Sequence, residues 1–162
     1  MNDFAHMIDR KLGYIPQDKE GLRLWLKLST LVQLLETDIR KHLAAQYSMT
    51  LPRFEVLAAL ERVPEGLTMV DLSKWLMVTK GNITGIAERL SEDGFIRRTP
   101  TPSDLRTFYV TLTPKGRSII TEMLASYELL LNSAFEEVSQ EEMDGLLGVF
   151  NKVKENISAR ED

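Results

Sequence analysis

Polar side chains and glycines share one short stretch of the chain, from Lys80 to Gly85, which reads KGNITG. Asn82 can pair bidentately with adenine, Lys80 can reach guanine or a phosphate, and Thr84 adds a hydroxyl beside them. Gly81 and Gly85 each cost about 1 kcal/mol relative to alanine inside a helix. A bare glycine stripe lets a helix backbone approach a nucleic-acid groove closely, and tight packing against another helix is the alternative explanation.

Three arginines follow this stretch, at Arg97, Arg98 and Arg106. Arginine favours a narrow, electronegative minor groove. Strand alternation would place Asp104 and Arg106 on the same side, where the carboxylate can hold the guanidinium in position. A surface ion pair of little energetic value is the alternative for these two residues.

Two short helices are predicted to present the first group of residues. Thr68 with Asp71 forms a capping-box-like start, and Thr79 is a second N-cap. The turn between the helices is predicted at about Leu76 to Thr79. The second helix carries apolar residues at helical spacing, at Ile83, Ile86, Ala87 and Leu90.

A hairpin is predicted after the second helix. Gly94 occupies the position expected one residue past that helix. The runs 95–99 and 108–112 are β-branched and aromatic, and they are separated by turn-forming residues, which predicts two strands joined by a long tip. The tip residues are Pro100, Pro102, Ser103 and Asp104. Thr113 and Pro114 then make an N-cap followed by proline at the first helical position.

The stretch from Val78 to Gly116 resembles the winged helix-turn-helix of the MarR family of bacterial transcription regulators. The closest match is the string D-x-R-x-x-x-V-x-L-T-x-x-G, from Asp104 to Gly116. Leu105 departs from the family pattern, which often has a second charged residue there, so this wing has one cation fewer. The resemblance implies a DNA-binding regulator, most often a repressor, with Arg106 entering the minor groove.

Composition sets further bounds. The 162 residues are 43% hydrophobic and include no cysteine, which excludes disulfides, zinc-thiolate sites and thiol redox sensors. No apolar run approaches the roughly 20 residues needed to span a bilayer. The start MNDFAHMIDRK lacks the pattern of a signal peptide. We therefore expect a cytoplasmic protein without a membrane partner.

Charge is distributed unevenly along the chain. The net charge of −4 is unusual for a DNA-binding protein. Residues 66–117 nevertheless carry +3, residues 118–162 carry −7, and the first 65 residues balance. Local charge matters more than the total for a phosphate-binding surface, so we expect the acidic part to face away from DNA.

The predicted fold class is mainly α with a small β-hairpin wing, a winged helix-turn-helix embedded in a helical dimerisation scaffold. Residues 1–50 hold a leader and a long helix, residues 51–117 the DNA-binding region, and residues 118–162 the carboxyl-terminal dimerisation helices. Together they are predicted to form a single structural unit.

Four further helices are predicted. Lys19–Tyr47 carries too many apolar positions for one narrow stripe, so burial on more than one side is expected. The others are Pro52 to about Val63, Pro114 to about Val138, and Ser139 to about Ser158 with a Ser139–Glu142 capping box.

Apolar residues are concentrated near the carboxyl end, more than one chain of this length would easily bury. They are Leu124, Tyr127, Leu130, Leu131, Phe135, Leu146, Leu147, Phe150, Val153 and Ile157. With the family resemblance included, we expect a homodimer that binds a two-fold symmetric operator in double-stranded DNA. Ordinary core helices are the alternative.

The predicted DNA-binding residues combine the two groups above with neighbouring polar positions. They are Thr68, Lys74, Thr79, Lys80, Gly81, Asn82, Thr84, Arg89, Arg97, Arg98, Asp104 and Arg106. The two histidines, His6 and His42, lie far apart and suggest no metal site. No phosphate-binding loop or nucleophile elbow is present, so we expect neither a cofactor nor catalysis.

The resemblance also implies a small anionic or aromatic effector that modulates DNA affinity. Trp25, Tyr47, Arg53 and Phe54 are the candidate effector-binding residues. Core positions for Trp25 and Phe54, with Arg53 in solvent, are the alternative. A winged-helix protein-interaction module without DNA binding is the competing function, and the glycine stripe and intact wing argue against it.

Overall fold

The computed structural model describes residues 13, 18–101 and 104–160, and the side chains of residues 101 and 104–107 lie outside that description. Most of the predicted leader, residues 1 to about 20, also lies outside the described residues. The chain forms two compact units, Met1–Leu124 and Ala125–Asp162.

Six helices have both ends in the described part of the chain, and most follow the sequence prediction to within a residue or two. They are α1 (Glu20–Tyr47), α2 (Leu51–Arg62), α3 (Met69–Trp75), α4 (Lys80–Glu92), α5 (Pro114–Ala134) and α6 (Gln140–Ser158). None of these helices is long and apolar enough to cross a membrane.

A three-stranded antiparallel sheet lies beside α3 and α4. Its strands are β1 (Leu67–Thr68), β2 (Ile96–Thr101) and β3 (Asp104–Leu112), in the order β1-β3-β2. β1 was not predicted, because two residues show no periodicity. Gly66 makes this strand possible: its φ is +96°, and an added Cβ would lie 2.7 Å from the Val110 carbonyl oxygen.

The predicted long hairpin tip is wrong. The strands continue to Thr101 and Asp104, which are paired, so the tip is short. Pro100 pairs with Phe108 in β2, which is an edge strand, and proline is tolerated there because it need not donate to a neighbour. The register is irregular between Pro100 and Thr101.

The core of the first unit lies behind α3 and α4. Its largest fully buried side chains come from both helices, from α1, α2 and α5, and from β3: Leu43, Val56, Leu57, Leu60, Leu72, Ile83, Leu90, Val110, Ile120 and Met123. Each side chain of this size contributes roughly 1.5 to 3 kcal/mol when buried. The helix-turn-helix is therefore fixed from behind, and its outer face stays in solvent.

Two predictions for the long helices need correction. The predicted burial of α1 on more than one side is wrong in the single chain: its buried side chains are Ile39 and Leu43, whereas Trp25 is 65% exposed. Within the described residues, the first half of this helix has no fully buried side chain. α5 ends at Ala134, about four residues early, because a turn at 135–137 precedes the Ser139 cap of α6.

Candidate nucleic-acid interface

The start of α4 presents its polar residues to solvent, as the spacing predicted. Thr79 caps the helix, since its Oγ1 accepts a hydrogen bond from the Asn82 N–H at 3.4 Å. Lys80, Asn82 and Thr84 are exposed. On the opposite face Ile83, Ala87 and Leu90 are buried, so the helix separates a core side from a free polar side.

Gly81 and Gly85 lie on the open side of α4. A Cβ added at either position would meet no heavy atom within 4 Å. Tight packing against another helix, the alternative explanation for these glycines, is therefore wrong for the described part of this chain. The helix backbone is therefore accessible at Gly81 and Gly85, beside the side chains of Lys80 and Thr84.

The turn that leads into α4 has a feature that sequence reasoning missed. Met77 adopts a left-handed backbone with φ of +52°. The Met77 N–H donates to the Lys74 carbonyl at 3.2 Å, and the Val78 N–H donates to the Ser73 carbonyl at 3.0 Å. Methionine gives no signal for this conformation, which glycine and asparagine usually supply.

The far end of α4 is closed by a Schellman motif. Gly94 has φ of +74°, its N–H donates to the Ser91 carbonyl at 3.0 Å, and the Phe95 N–H donates to the Leu90 carbonyl at 2.9 Å. This confirms the role predicted for Gly94. The helix therefore ends at a defined residue.

Side chains from α2 and α5 hold the same end of the helix. The Arg53 guanidinium from α2 makes an ion pair with the Asp93 carboxylate. Lys115 Nζ from α5 donates to the Asp93 carbonyl at 2.7 Å and lies 4.6 Å from the centre of the Phe95 ring. The axis of α4 is thus fixed by two neighbouring helices.

The wing arginines differ in their surroundings. Arg97 is exposed and its Nε donates to Thr111 Oγ1 at 3.2 Å. Arg98 is half-buried and pairs in register with Val110, so it lies on the core side of the sheet. Its Nε and Nη2 atoms are buried and make no hydrogen bond in the described structure.

Asp104 and Arg106 have their backbones in β3, but their side chains lie outside the described residues. The register irregularity at Pro100/Thr101 lies opposite this part of β3. The proposed Asp104–Arg106 contact therefore remains a prediction.

The other predicted DNA-binding residues fall into two groups. Thr68 caps α3: its Oγ1 accepts from the Asp71 N–H at 3.1 Å and donates to the Asp71 carboxylate at 2.6 Å. Lys74 and Arg89 are exposed on α3 and α4. Thr68 thus has a structural role in the free protein, whereas the two cations are accessible to a phosphate.

The four candidate effector-binding residues do not form one cleft in a single chain. Trp25 and Tyr47 lie at opposite ends of α1, about 33 Å apart at the helical rise per residue. Phe54 is a core side chain. Arg53 is engaged by Asp93, and the Tyr47 hydroxyl donates to the Glu122 carbonyl at 3.4 Å.

The described residues include no group of three or more side chains that could hold a metal ion. His42 lies beside the Tyr47 ring, with ring centroids 6.3 Å apart. His6 lies outside the described residues.

Comparison with known proteins matches the winged helix-turn-helix region to one family. Residues 47–107, which span α2 to the wing, match the model of the MarR family. The transcriptional repressor YetL of Bacillus subtilis is 25% identical over 160 residues, covering 98% of this chain and 95% of YetL. The chain thus carries a MarR-type winged helix-turn-helix.

Other relatives vary in their stated activity. The transcriptional activatory protein BadR of Rhodopseudomonas palustris is 32% identical over 99 residues, covering 60% of this chain and 56% of BadR. The regulator Sco3205 of Streptomyces coelicolor, solved in complex with DNA, has a TM-score of 0.77 at 23% identity, covering 88% of this chain and 89% of Sco3205. That similarity confirms the winged helix-turn-helix fold.

Proposed function

We propose that this MarR-like protein is a sequence-specific DNA-binding transcription regulator that acts as a repressor. The observation that carries the proposal is the open face of α4, where Lys80, Asn82 and Thr84 border the accessible backbone at Gly81 and Gly85. The amino-terminal residues of a recognition helix contact base edges in the major groove. The buried face of α4 and its fixed carboxyl end would hold these groups in place during binding.

The wing supplies cations for the DNA backbone. Arg97 is exposed, whereas the unpartnered donors of Arg98 are buried on the core side of the sheet. A phosphate oxygen would accept charge-assisted hydrogen bonds from the Arg97 guanidinium. Arg106 would extend the wing into the minor groove, as the family resemblance implies.

A second copy of the chain would complete the regulator. On α6, Leu146, Phe150, Val153 and Ile157 recur at helical spacing, and all four are exposed. An apolar stripe of this kind is stable in water when another helix covers it. A two-fold dimer would present two α4 helices to half-sites about one DNA turn apart.

The relatives named as regulators include both a repressor and an activator. YetL is named as a repressor and BadR as an activatory protein. We assign repression because YetL matches nearly the whole chain. These relatives are regulators, and we propose no catalytic activity for this chain.

Control by a small anionic or aromatic molecule is part of the proposal. Arg53 and Tyr47 are the polar members of the predicted effector set. Arg53 has a buried Nε without a hydrogen-bond partner in the described structure, beside its ion pair with Asp93. Trp25 lies too far from Tyr47 along α1 to line the same site within one chain, so only the Trp25 of a second copy could contribute to it.

Selection of bound duplexes from a random DNA pool tests the function. The proposal predicts enrichment of one two-fold symmetric sequence, and DNase protection of both half-sites on the same face of the duplex. Retention on heparin without enrichment of any sequence would support the interaction-module alternative and contradict sequence-specific regulation.

A further inference from the structure

Met77 is the most exposed large apolar side chain of the described chain, at 94%. Among the described residues, it is also one of two non-glycine residues with positive φ, together with Ser48. The other two positive-φ positions, Gly66 and Gly94, are glycines. An exposed apolar residue in a strained conformation invites a functional explanation.

The fold does not require a methionine at this position. The turn is held by backbone hydrogen bonds of Met77 and Val78 to the carbonyls of Lys74 and Ser73. With 94% of its surface in solvent, the Met77 side chain contributes almost nothing to packing. Glycine has no Cβ, so it would adopt the same backbone without the steric crowding between Cβ and a carbonyl that methionine has there.

Met77 lies close to the DNA-facing end of α4. Lys80 lies three positions further along the chain, so the two Cα atoms are at most about 11 Å apart. A methionine side chain is long, unbranched and adaptable, which lets it follow an irregular surface. If Lys80 and Asn82 lie in the major groove, Met77 lies within reach of the groove edge.

The chemistry of the side chain limits what it can recognise there. Its thioether donates no hydrogen bond and accepts only weakly. The thymine 5-methyl group is the apolar feature of the major groove, and apolar side chains contact it. We propose that Met77 is a specificity-determining residue that contacts a thymine methyl in each half-site, a proposal that rests on the function proposed above.

Thymine-to-uracil substitution tests the contact, because uracil lacks only the 5-methyl group. Each thymine of the selected operator is replaced in turn, and the affinity of wild-type protein is measured. At one position in each half-site, the substitution should weaken binding about fourfold, the effect expected for one desolvated methyl. In Met77→Gly the same substitution should have no effect, whereas Met77→Leu should retain it.

Ser48→Gly is the matched control, since Ser48 has the same backbone conformation, with φ of 49°, at the end of α1. It should leave operator affinity and the uracil profile unchanged. Methyl dependence that persists in Met77→Gly, or is absent from wild type, would overturn the proposal. So would an equal loss of affinity by Met77→Gly on all sequences. Failure of wild type to select any operator would instead overturn the proposed function.

Discussion

Asn82 is the residue with the most specific chemistry on the open face of α4. Its backbone N–H donates to the hydroxyl of the Thr79 cap. Its side-chain amide is exposed and can approach a base. A bidentate contact to adenine is worth roughly 1 to 3 kcal/mol of discrimination. The sequence predicted this position because polar residues alternated with buried ones at helical spacing.

We therefore expect Asn82→Ala to weaken operator binding by roughly 1 to 3 kcal/mol and to relax the preference at one base pair. Fluorescence anisotropy against the operator and its single-base variants measures both effects. Glu88→Ala, at an exposed position later in α4, is a control that should keep the preference. A uniform loss across all sequences would assign Asn82 to a phosphate.

Residues whose roles depend on unusual geometry were harder to predict. Met77 gives no sequence signal for a left-handed backbone, and Arg53 gives none for its ion pair with Asp93, 40 residues away. Gly94 was predictable because glycine at a helix end has one common explanation. A helix end marked by glycine could thus be predicted from the sequence, whereas the Met77 backbone and the Arg53–Asp93 ion pair could not.

At the scale of elements, α4 carries two glycines that lower helix stability. Because an added methyl meets no atom at Gly81 or Gly85, alanine should fit both positions in the free protein. Each substitution should stabilise the fold by about 1 kcal/mol and raise Tm by about 2 to 4 °C. Operator affinity should fall, because the methyl group would occupy the space that the DNA approaches.

Gly148→Ala is the matched control for this pair of effects. Gly148 lies in α6, also with nothing within 4 Å of an added Cβ, and helical phase places it opposite the apolar stripe. Melting temperature should rise without any change in operator affinity. Gly81→Ala and Gly85→Ala variants that are more stable and bind normally would remove the glycine stripe from the proposed interface.

Glu55 on α2 is sensitive to pH. Partial burial of the carboxyl raises its pKa above 4.5, Glu36 raises it further, and Arg40 opposes the rise. A carboxyl whose pKa is raised on folding stabilises the fold when protonated, below its unfolded pKa, and loses that contribution as pH rises through the folded pKa. Glu55→Gln should therefore raise Tm at pH 7, and the gain should shrink as pH falls through the raised pKa of Glu55 towards 4.5. A gain in Tm that stays constant as pH falls would contradict this assignment.

The elements themselves were largely predictable, and the exceptions have physical reasons. Three N-caps, at Thr68, Thr79 and Ser139, mark helix starts in the sequence and in the structure. β1 was missed because its two residues exist as a strand only through pairing with β3. The wing tip was predicted too long because Pro100 pairs on an edge strand, where proline is tolerated.

For the whole molecule, we expect a dimer in solution. Sedimentation at micromolar concentration should give about twice the chain mass of 18.5 kDa. Phe150→Glu should shift the mass toward one chain, because it places a charge in the exposed apolar stripe of α6. Asn151→Glu, one residue away but off the stripe, should remain dimeric. A folded wild-type monomer would contradict the two-half-site arrangement.

The central claim is that this chain distinguishes DNA sequences through α4, despite a net charge of −4. The most direct test is the ratio of its affinities for the selected operator and for a scrambled duplex of the same composition, at physiological salt. The account predicts a ratio of at least about 10³, as for specific regulators in general. A ratio near one, with both affinities falling steeply as salt rises, would show non-specific phosphate binding and contradict the account.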